Sequence, residues 1–295
     1  MLYFHLMKYL LSIAFLVCLA SANAQQKSSP KGKLFIIGGG DRSTELMQTL
    51  VKISGISAKD YVVVLPMSSE EPDSSYLYFK ADLQPVCSSP IVNFNFTKEN
   101  SGDKSWLDSL EKARLIFITG GDQVRFMNIA LNSPIQTAIS KAFANGCTIA
   151  GTSAGAAVMS KYMITGNELT EKKYNPTFKK IRFNNIEIKE GLGLTNAIID
   201  QHFVVRSRYN RLFSALARYP NSFCIGIDEA TAIIITGNRV KITGESQVMV
   251  LSNPLQLKID SAGRIKWQDI AFSVYTAGDE FVMANKIINR PSSKD

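Results

Sequence analysis

The sequence predicts an α/β protein, a three-layer α/β/α sandwich around a mostly parallel sheet, and three observations predict it. Four short apolar runs, KLFII (33–37), YVVVL (61–65), RLIFI (114–118) and CTIAG (147–151), are continuous rather than alternating, as strands covered on both faces must be. Helix-length stretches separate them at the spacing of βα units. Three of the runs end in glycine-rich turns, GGGD (38–41), TGGDQ (119–123) and GTSAGA (151–156). Open α/β sheets hold ligands at the carboxyl ends of their strands, so three such turns on one edge would make a site.

Taken in order, the chain opens with a segment that does not belong to the fold. Lys8 is a positive flank, Tyr9–Ala20 is almost wholly apolar, and Ala22-Asn23-Ala24 fits a small-residue cleavage site. Residues 1–24 are read as a cleavable signal peptide, because the apolar run falls well short of the roughly 20 residues that span a bilayer. Val17, rather than a small residue, precedes Cys18 and argues against a lipoprotein. The expected location is secreted or periplasmic, with no membrane attachment after cleavage. Residues 25–295 are then one catalytic domain, since no Pro/Ser-rich linker, low-complexity tract or repeat divides 33–290, and the tail frays from about Pro291.

The second half changes character. Phe223–Ile235 and Gln247–Ser252 are strand-like runs around turns at 237–238 and 243–244, which predicts C-terminal hairpins added at one side of the sheet. Between the halves, 171–189 is the most basic stretch, with Lys172, Lys173, Lys179, Lys180, Arg182 and Lys189 interrupted by acids; it reads as a solvated loop and hairpin. With 33 Lys and Arg against 25 Asp and Glu the chain carries +8, yet no nucleic-acid motif accompanies the charge, so no nucleic-acid partner is expected. Of four cysteines, Cys87, Cys147 and Cys224 follow the signal, without CxxC or zinc spacing; Cys147 and Cys224 each open an apolar run and read as core thiols, though one pair could oxidise after export. Gly38-Gly39-Gly40-Asp41 fails the dinucleotide template at Ser43, and only one histidine remains to bind a metal. No cofactor is expected.

The chemistry rests on Gly151-Thr152-Ser153-Ala154-Gly155, a G-x-S-x-G sequence where a strand meets an Ala-rich helix start. That is the setting of a nucleophile elbow, in which glycines allow close packing and the helix N-terminus faces a developing oxyanion. A serine nucleophile needs a base. His5 lies in the signal, which leaves His202 in Asp200-Gln201-His202-Phe203, again after an apparent strand, with a Ser–Lys dyad as the other arrangement. The orienting carboxylate is best placed at Glu229 in GIDEATA (226–232); Asp228 would point to the opposite face of an extended segment, and Glu168 is the second candidate. The order Ser, His, acid differs from that of the α/β-hydrolases, so an esterase is a runner-up. A non-catalytic binding protein on the same scaffold is the reading from another class.

GTSAGA, GGDQ, DQHF-x-x-R-x-R-x-x-R-L and DEATA together resemble the cyanophycinase branch of the S51 serine peptidases, over most of the chain from Gly38 to Thr231. The resemblance implies a fold like that of class I glutamine amidotransferases, which is flavodoxin-like, and a homodimer. It implies Ser153 as nucleophile, His202 as base and Glu229 as orienting acid, whereas the dipeptidase E branch takes its acid shortly after the serine, as Glu168 would be. It further implies oxyanion donors from Gly121 and Ala154, and substrate contacts from Gln123, Asp200, Gln201, Arg206, Arg208 and Arg211. If the segment after His202 is helical, Arg206 shares the face of His202 while Arg208 and Arg211 share another, and a structural ion pair is the alternative for Arg211. Asp122 could at the same time cap a helix. The implied activity is hydrolysis of β-aspartyl linkages, foremost cyanophycin to β-Asp-Arg dipeptides, with small isoaspartyl or Asp-X peptides as the alternative substrates.

Overall fold

The computed structural model describes residues 30–170, 177–178 and 181–284. The signal-peptide reading, the fraying tail, and Lys172, Lys173, Lys179 and Lys180 of the basic stretch lie outside the described residues. The contacts divide the chain between Pro30 and Lys31, and every element below belongs to the second unit.

In chain order, β1 (Lys33–Ile37), α1 (Thr44–Ser54), β2 (Val62–Leu65), α2 (Pro72–Leu83), β3 (Ile91–Asn93), α3 (Lys104–Lys112), β4 (Leu115–Ile118), α4 (Gln123–Ala130), α5 (Pro134–Ala144), β5 (Thr148–Thr152) and the short α6 (Ala154–Ala157) form the expected βα alternation. Then follow β6 (Tyr162–Glu168), β7 (Ile186–Glu190), β8 (Ile198–Gln201), α7 (Tyr209–Arg218), β9 (Cys224–Ile227), β10 (Thr231–Thr236), β11 (Arg239–Gly244), β12 (Val248–Leu255), β13 (Lys258–Ile259), β14 (Ile265–Lys266), β15 (Asp269–Tyr275) and β16 (Glu280–Val282). Local chemistry sets the helix starts. Ser43, Asp103, Asp122 and Ser133 each accept a backbone N–H of the first turn, and Pro134 sits where no donor is needed.

The main sheet has eight strands in the order β16-β11-β10-β1-β5-β4-β2-β3. β1, β5, β4, β2 and β3 run parallel, and β10, β11 and β16 add antiparallel at the β1 edge. The apolar runs are continuous because successive residues enter different cores. Leu34, Ile36, Val63, Leu65, Ile116 and Ile118 pack in one cluster with Phe126 of α4 and Ile139 of α5. Phe35, Ile37, Val62, Val64, Leu115 and Phe117 pack in the other with Leu50 of α1 and Phe79 of α2. A strand wedged between two apolar layers has no polar face, which is the physical content of three layers.

The C-terminal half adds strands at one side of the sheet, as expected, and builds a second sheet besides. The run 223–235 is two strands in two sheets: β9 belongs to a four-stranded sheet, order β15-β12-β9-β8, while β10 joins β1 and forms a hairpin with β11 around residues 237–238. β12, expected as a hairpin partner on the main sheet, pairs with β9 instead. Periodicity could not reveal this, because Ile225 and Ile227 of the second sheet bury in the same cluster as Ile233 and Ile235 of the first. Arg182 and Lys189 of the basic stretch flank or lie in β7, which pairs antiparallel with β6. Cys87, Cys147 and Cys224 are buried free thiols, and burial pushes the Cys147 thiol up to about 12.

Close packing at the β4–β5 junction is what allows α6 to begin so abruptly. A Cβ on Gly155 would lie 2.1 Å from the Ile118 carbonyl oxygen. Gly155→Ala is therefore expected to lower stability to urea by about 1–3 kcal/mol. Gly102→Ala, with nothing within 4 Å of the added atom, is expected to change stability by less than about 0.5 kcal/mol.

Candidate active site

The parallel register brings strand ends to one edge: Ile37 of β1 stands beside Thr152 of β5, and Ile118 of β4 beside Gly151. In the second sheet Gln201 of β8 stands beside Ile227 of β9. Ser153 follows β5, His202 follows β8, and Glu229 lies two residues past β9, so all three leave strands where the two sheets meet.

One backbone hydrogen bond joins the sheets there, and two more hold the turn after β1 to the start of β10 in the main sheet. The His202 N–H donates to Gly38 O at 2.7 Å, Gly38 N–H to Thr231 O at 2.9 Å, and Ala230 N–H to Gly39 O at 2.9 Å. The approach is too close for side chains: a Cβ on Gly38 would lie 2.1 Å from Asp228 O, one on Gly39 2.3 Å from His202 Cε1, and one on Gly40 2.7 Å from Glu229 Cβ. The GGG run is thus a platform under the imidazole and its carboxylate.

Ser153 Oγ lies 2.9 Å from His202 Nε2, and Glu229 Oε1 is hydrogen-bonded to His202 Nδ1. With a carboxylate on Nδ1 the ring keeps its proton there, which leaves Nε2 to accept from the serine hydroxyl. Burial, and then the charges of Arg206 and Arg208, hold His202 below the ordinary imidazole range, against the opposing pull of Glu229. The ring is neutral at pH 7 and able to take a proton. Ser153 has φ 54° and ψ −112°, and His202 φ 48°, conformations that cost non-glycine residues about 1–3 kcal/mol each.

Asp228 does point away from Glu229. Its Oδ1 accepts Val204 N–H and Val205 N–H, both at 3.0 Å, and its Oδ2 accepts Ser246 Oγ–H at 2.7 Å. It ties down the turn behind His202, a role sequence reasoning missed. Glu168 ends β6 opposite Ile186, and the carboxylate on the imidazole is that of Glu229.

A cleft of about 520 Å³ opens on Ser153 and His202. Gly120 lines it, with the position of its missing Cβ 3.4 Å from Ser153 Cβ; Gly121, φ 133°, presses against Ser68 O, and Ala154 starts α6. The opposite wall is Ser75, Tyr78, Phe79 and Asp82 of α2, with Asp41 and Arg42. No motif marks that wall; its signal is only the i, i+3, i+4, i+7 spacing on one helical face.

The remaining expected contacts are placed unevenly. Arg206 is exposed, in a run of turns rather than a helix, since α7 begins only at Tyr209; the expected i, i+4 face with His202 is corrected accordingly. Turns win because Asp228 takes the Val204 and Val205 amides and Ser207 adopts φ 48°. Arg208 Nη1 donates to Gln201 O and Oε1. Gln123, capped into α4 by Asp122, is buried and donates to Ile164 O at 3.0 Å. Arg211 is 3% exposed and grips Asp200 through two nitrogens, its Nε at 2.6 Å from Oδ2. Among the described residues no group of His, Cys, Asp and Glu is placed to hold a metal.

Comparison with known proteins bears on this arrangement. The family model described as peptidase family S51 matches residues 34–243. A cyanophycinase of Nostoc sp. (strain PCC 7120 / SAG 25.82 / UTEX 2576) is 30% identical over 80% of this chain and 78% of its own. One of Geminocystis herdmanii (strain PCC 6308) is 28% identical over 75% and 80%. The crystal structure of a peptidase from an acI-B1 Actinobacterium superposes with a TM-score of 0.61 at 19% identity, covering 86% of this chain and 98% of the other. A putative peptidase E of Listeria monocytogenes EGD-e gives 0.52 at 17%, covering 73% and 99%. These two show the shared fold.

The buried Arg211–Asp200 pair yields a prediction independent of chemistry. Arg211→Ala removes the two-nitrogen grip on a carboxylate with no exposure and leaves it the longer 3.8 Å ion pair with Arg208, and the expected loss of stability in urea unfolding is about 3–5 kcal/mol.

Proposed function

The chain belongs to peptidase family S51 and is a serine-type peptidase, and from that premise we propose that it hydrolyses β-aspartyl peptides, with cyanophycin the favoured substrate. The observation that carries the reading is the hydrogen-bonded line Ser153–His202–Glu229 at the floor of a cleft. In this reading His202 Nε2 takes the Ser153 hydroxyl proton as Oγ attacks the scissile carbonyl. The imidazolium, stabilised by Glu229, then returns that proton to the leaving amine. Water repeats the cycle on the acyl-enzyme and restores Ser153. The Gly121 and Ala154 amides are the assigned oxyanion donors, supported by the place of Ala154 directly after the nucleophile and of Gly121 next to Gly120, which stands against Ser153. Cyanophycin is favoured by the name of the relatives at 28–30% identity. Cutting its backbone next to an arginine-bearing aspartate releases β-Asp-Arg with the side-chain amide intact.

We further place the enzyme outside the cytoplasm, as a homodimer, on the strength of the N-terminal segment and the family resemblance. Gln123, Asp200, Gln201, Arg206, Arg208 and Arg211 remain the assigned substrate side. The buried Asp200–Arg211 and Gln201–Arg208 contacts support a positioning share for four of them.

Mass spectrometry of products from cyanophycin and from matched α- and β-linked Asp dipeptides tests the reading. Release of β-Asp-Arg is expected, with Ser153→Ala slower by about a thousandfold or more. Cleavage of small dipeptides alone would move the substrate to isoaspartyl or Asp-X peptides, and no cleavage of any would refute the peptidase chemistry assigned to this site. The pH profile gives a second test. Because His202 must be neutral to act, kcat/KM rises with pH along an acid limb centred below the ordinary imidazole range. Arg206 is one cause of that depression, so Arg206→Ala is expected to move the limb to higher pH.

A further inference from the structure

Beyond the reacting groups, the cleft has a wall whose charges are unequally occupied. Asp41 directly follows the glycine platform and lines the cleft together with α2, where Tyr78 and Asp82 stand one turn apart. Asp82 is taken: Arg42 donates to it through Nε at 2.7 Å and through Nη2 at 2.5 Å, a two-nitrogen pair that neutralises both. Asp41 is exposed and, among the described residues, enters no ion pair. With His202 neutral and Arg42 paired to Asp82, it leaves the lining of the cleft net negative. In the same cleft Tyr78 keeps 71% of its surface exposed, while its neighbour Phe79 stacks on Phe117. An uncovered ring and an uncompensated carboxylate lining one cleft are the chemistry that receives an organic cation, one by its π face and the other by charge-assisted hydrogen bonds.

We propose that Asp41 and Tyr78 form the subsite that selects peptides bearing a cationic side chain, a guanidinium or ammonium, next to the scissile bond. The inference rests on the reading of the cleft as a β-aspartyl peptidase site and adds to it what the outer wall recognises. Arg42 is kept from repelling that cation by its pairing with Asp82, which also fixes the spacing between the Asp41 turn and α2. Neither residue touches the reacting atoms, so the expected signature is in selectivity rather than in the chemical step.

The test compares short β-aspartyl-arginine oligomers with the same oligomers carrying citrulline, the neutral isostere of arginine, and with lysine analogues. Wild-type kcat/KM should favour arginine over citrulline by about tenfold, the worth of a hydrogen-bonded charge pair, and added salt should shrink the ratio. Asp41→Asn should collapse the ratio toward one through KM, and Tyr78→Ala should reduce it while Tyr78→Phe, which keeps the ring, restores it. Equal use of arginine and citrulline by the wild type would overturn the subsite while leaving the peptidase reading intact. So would an Asp41→Asn loss of the same size on both substrates. No turnover of any of these oligomers by the wild type would instead overturn the substrate reading, and the subsite with it.

Discussion

The site depends on a contact between backbones that excludes side chains. Residues 38–40 pass so near the ends of β8 and β9 that any Cβ there would overlap a carbonyl, the imidazole or the Glu229 side chain. Because that space is empty, the His202 N–H can reach Gly38 O and tie the two sheets together at the point where Ser153 comes from one and His202 and Glu229 from the other. Packing elsewhere is tolerant by comparison, since two large apolar clusters can absorb substitutions of similar volume. At the platform there is no volume to exchange.

Around that contact, polar groups are arranged so that one ring stays neutral and still. Asp228 pins the turn behind His202, Glu229 fixes the Nδ1 proton, and burial with nearby guanidinium groups disfavours the imidazolium until a reaction supplies a reason to form it. The buried Asp200–Arg211 pair serves a different end. It compensates the buried carboxylate of Asp200 in β8, where a lone charge could not be held.

Much of this was legible in the residues. The apolar runs of β1, β2, β4 and β5 announce themselves because strands buried on both faces cannot alternate, and the glycine-flanked serine announces an elbow because nothing bulkier fits beside it. The single usable histidine narrows the base by elimination. What stayed hidden depends on long-range pairing: that 223–235 divides between two sheets, that β12 pairs with β9, and that the segment after His202 turns rather than winds. Those outcomes are fixed by partners distant in sequence, such as Asp228 for the Val204 and Val205 amides. The α2 wall was invisible for another reason. Ser75, Tyr78 and Asp82 carry no motif, and only their shared helical face brings them to the cleft.

The backbone at Ser153 has an evolutionary corollary. Holding a residue with a side chain at φ 54° costs about 1–3 kcal/mol, whereas glycine there would give back only about 0.5–1 kcal/mol in unfolded-chain entropy. The serine is therefore kept against a standing pressure toward glycine, and only use can oppose that pressure. In a lineage that no longer cut peptides, this position would be among the first to drift, and a glycine in its place would mark a scaffold that had retired from chemistry while becoming more stable.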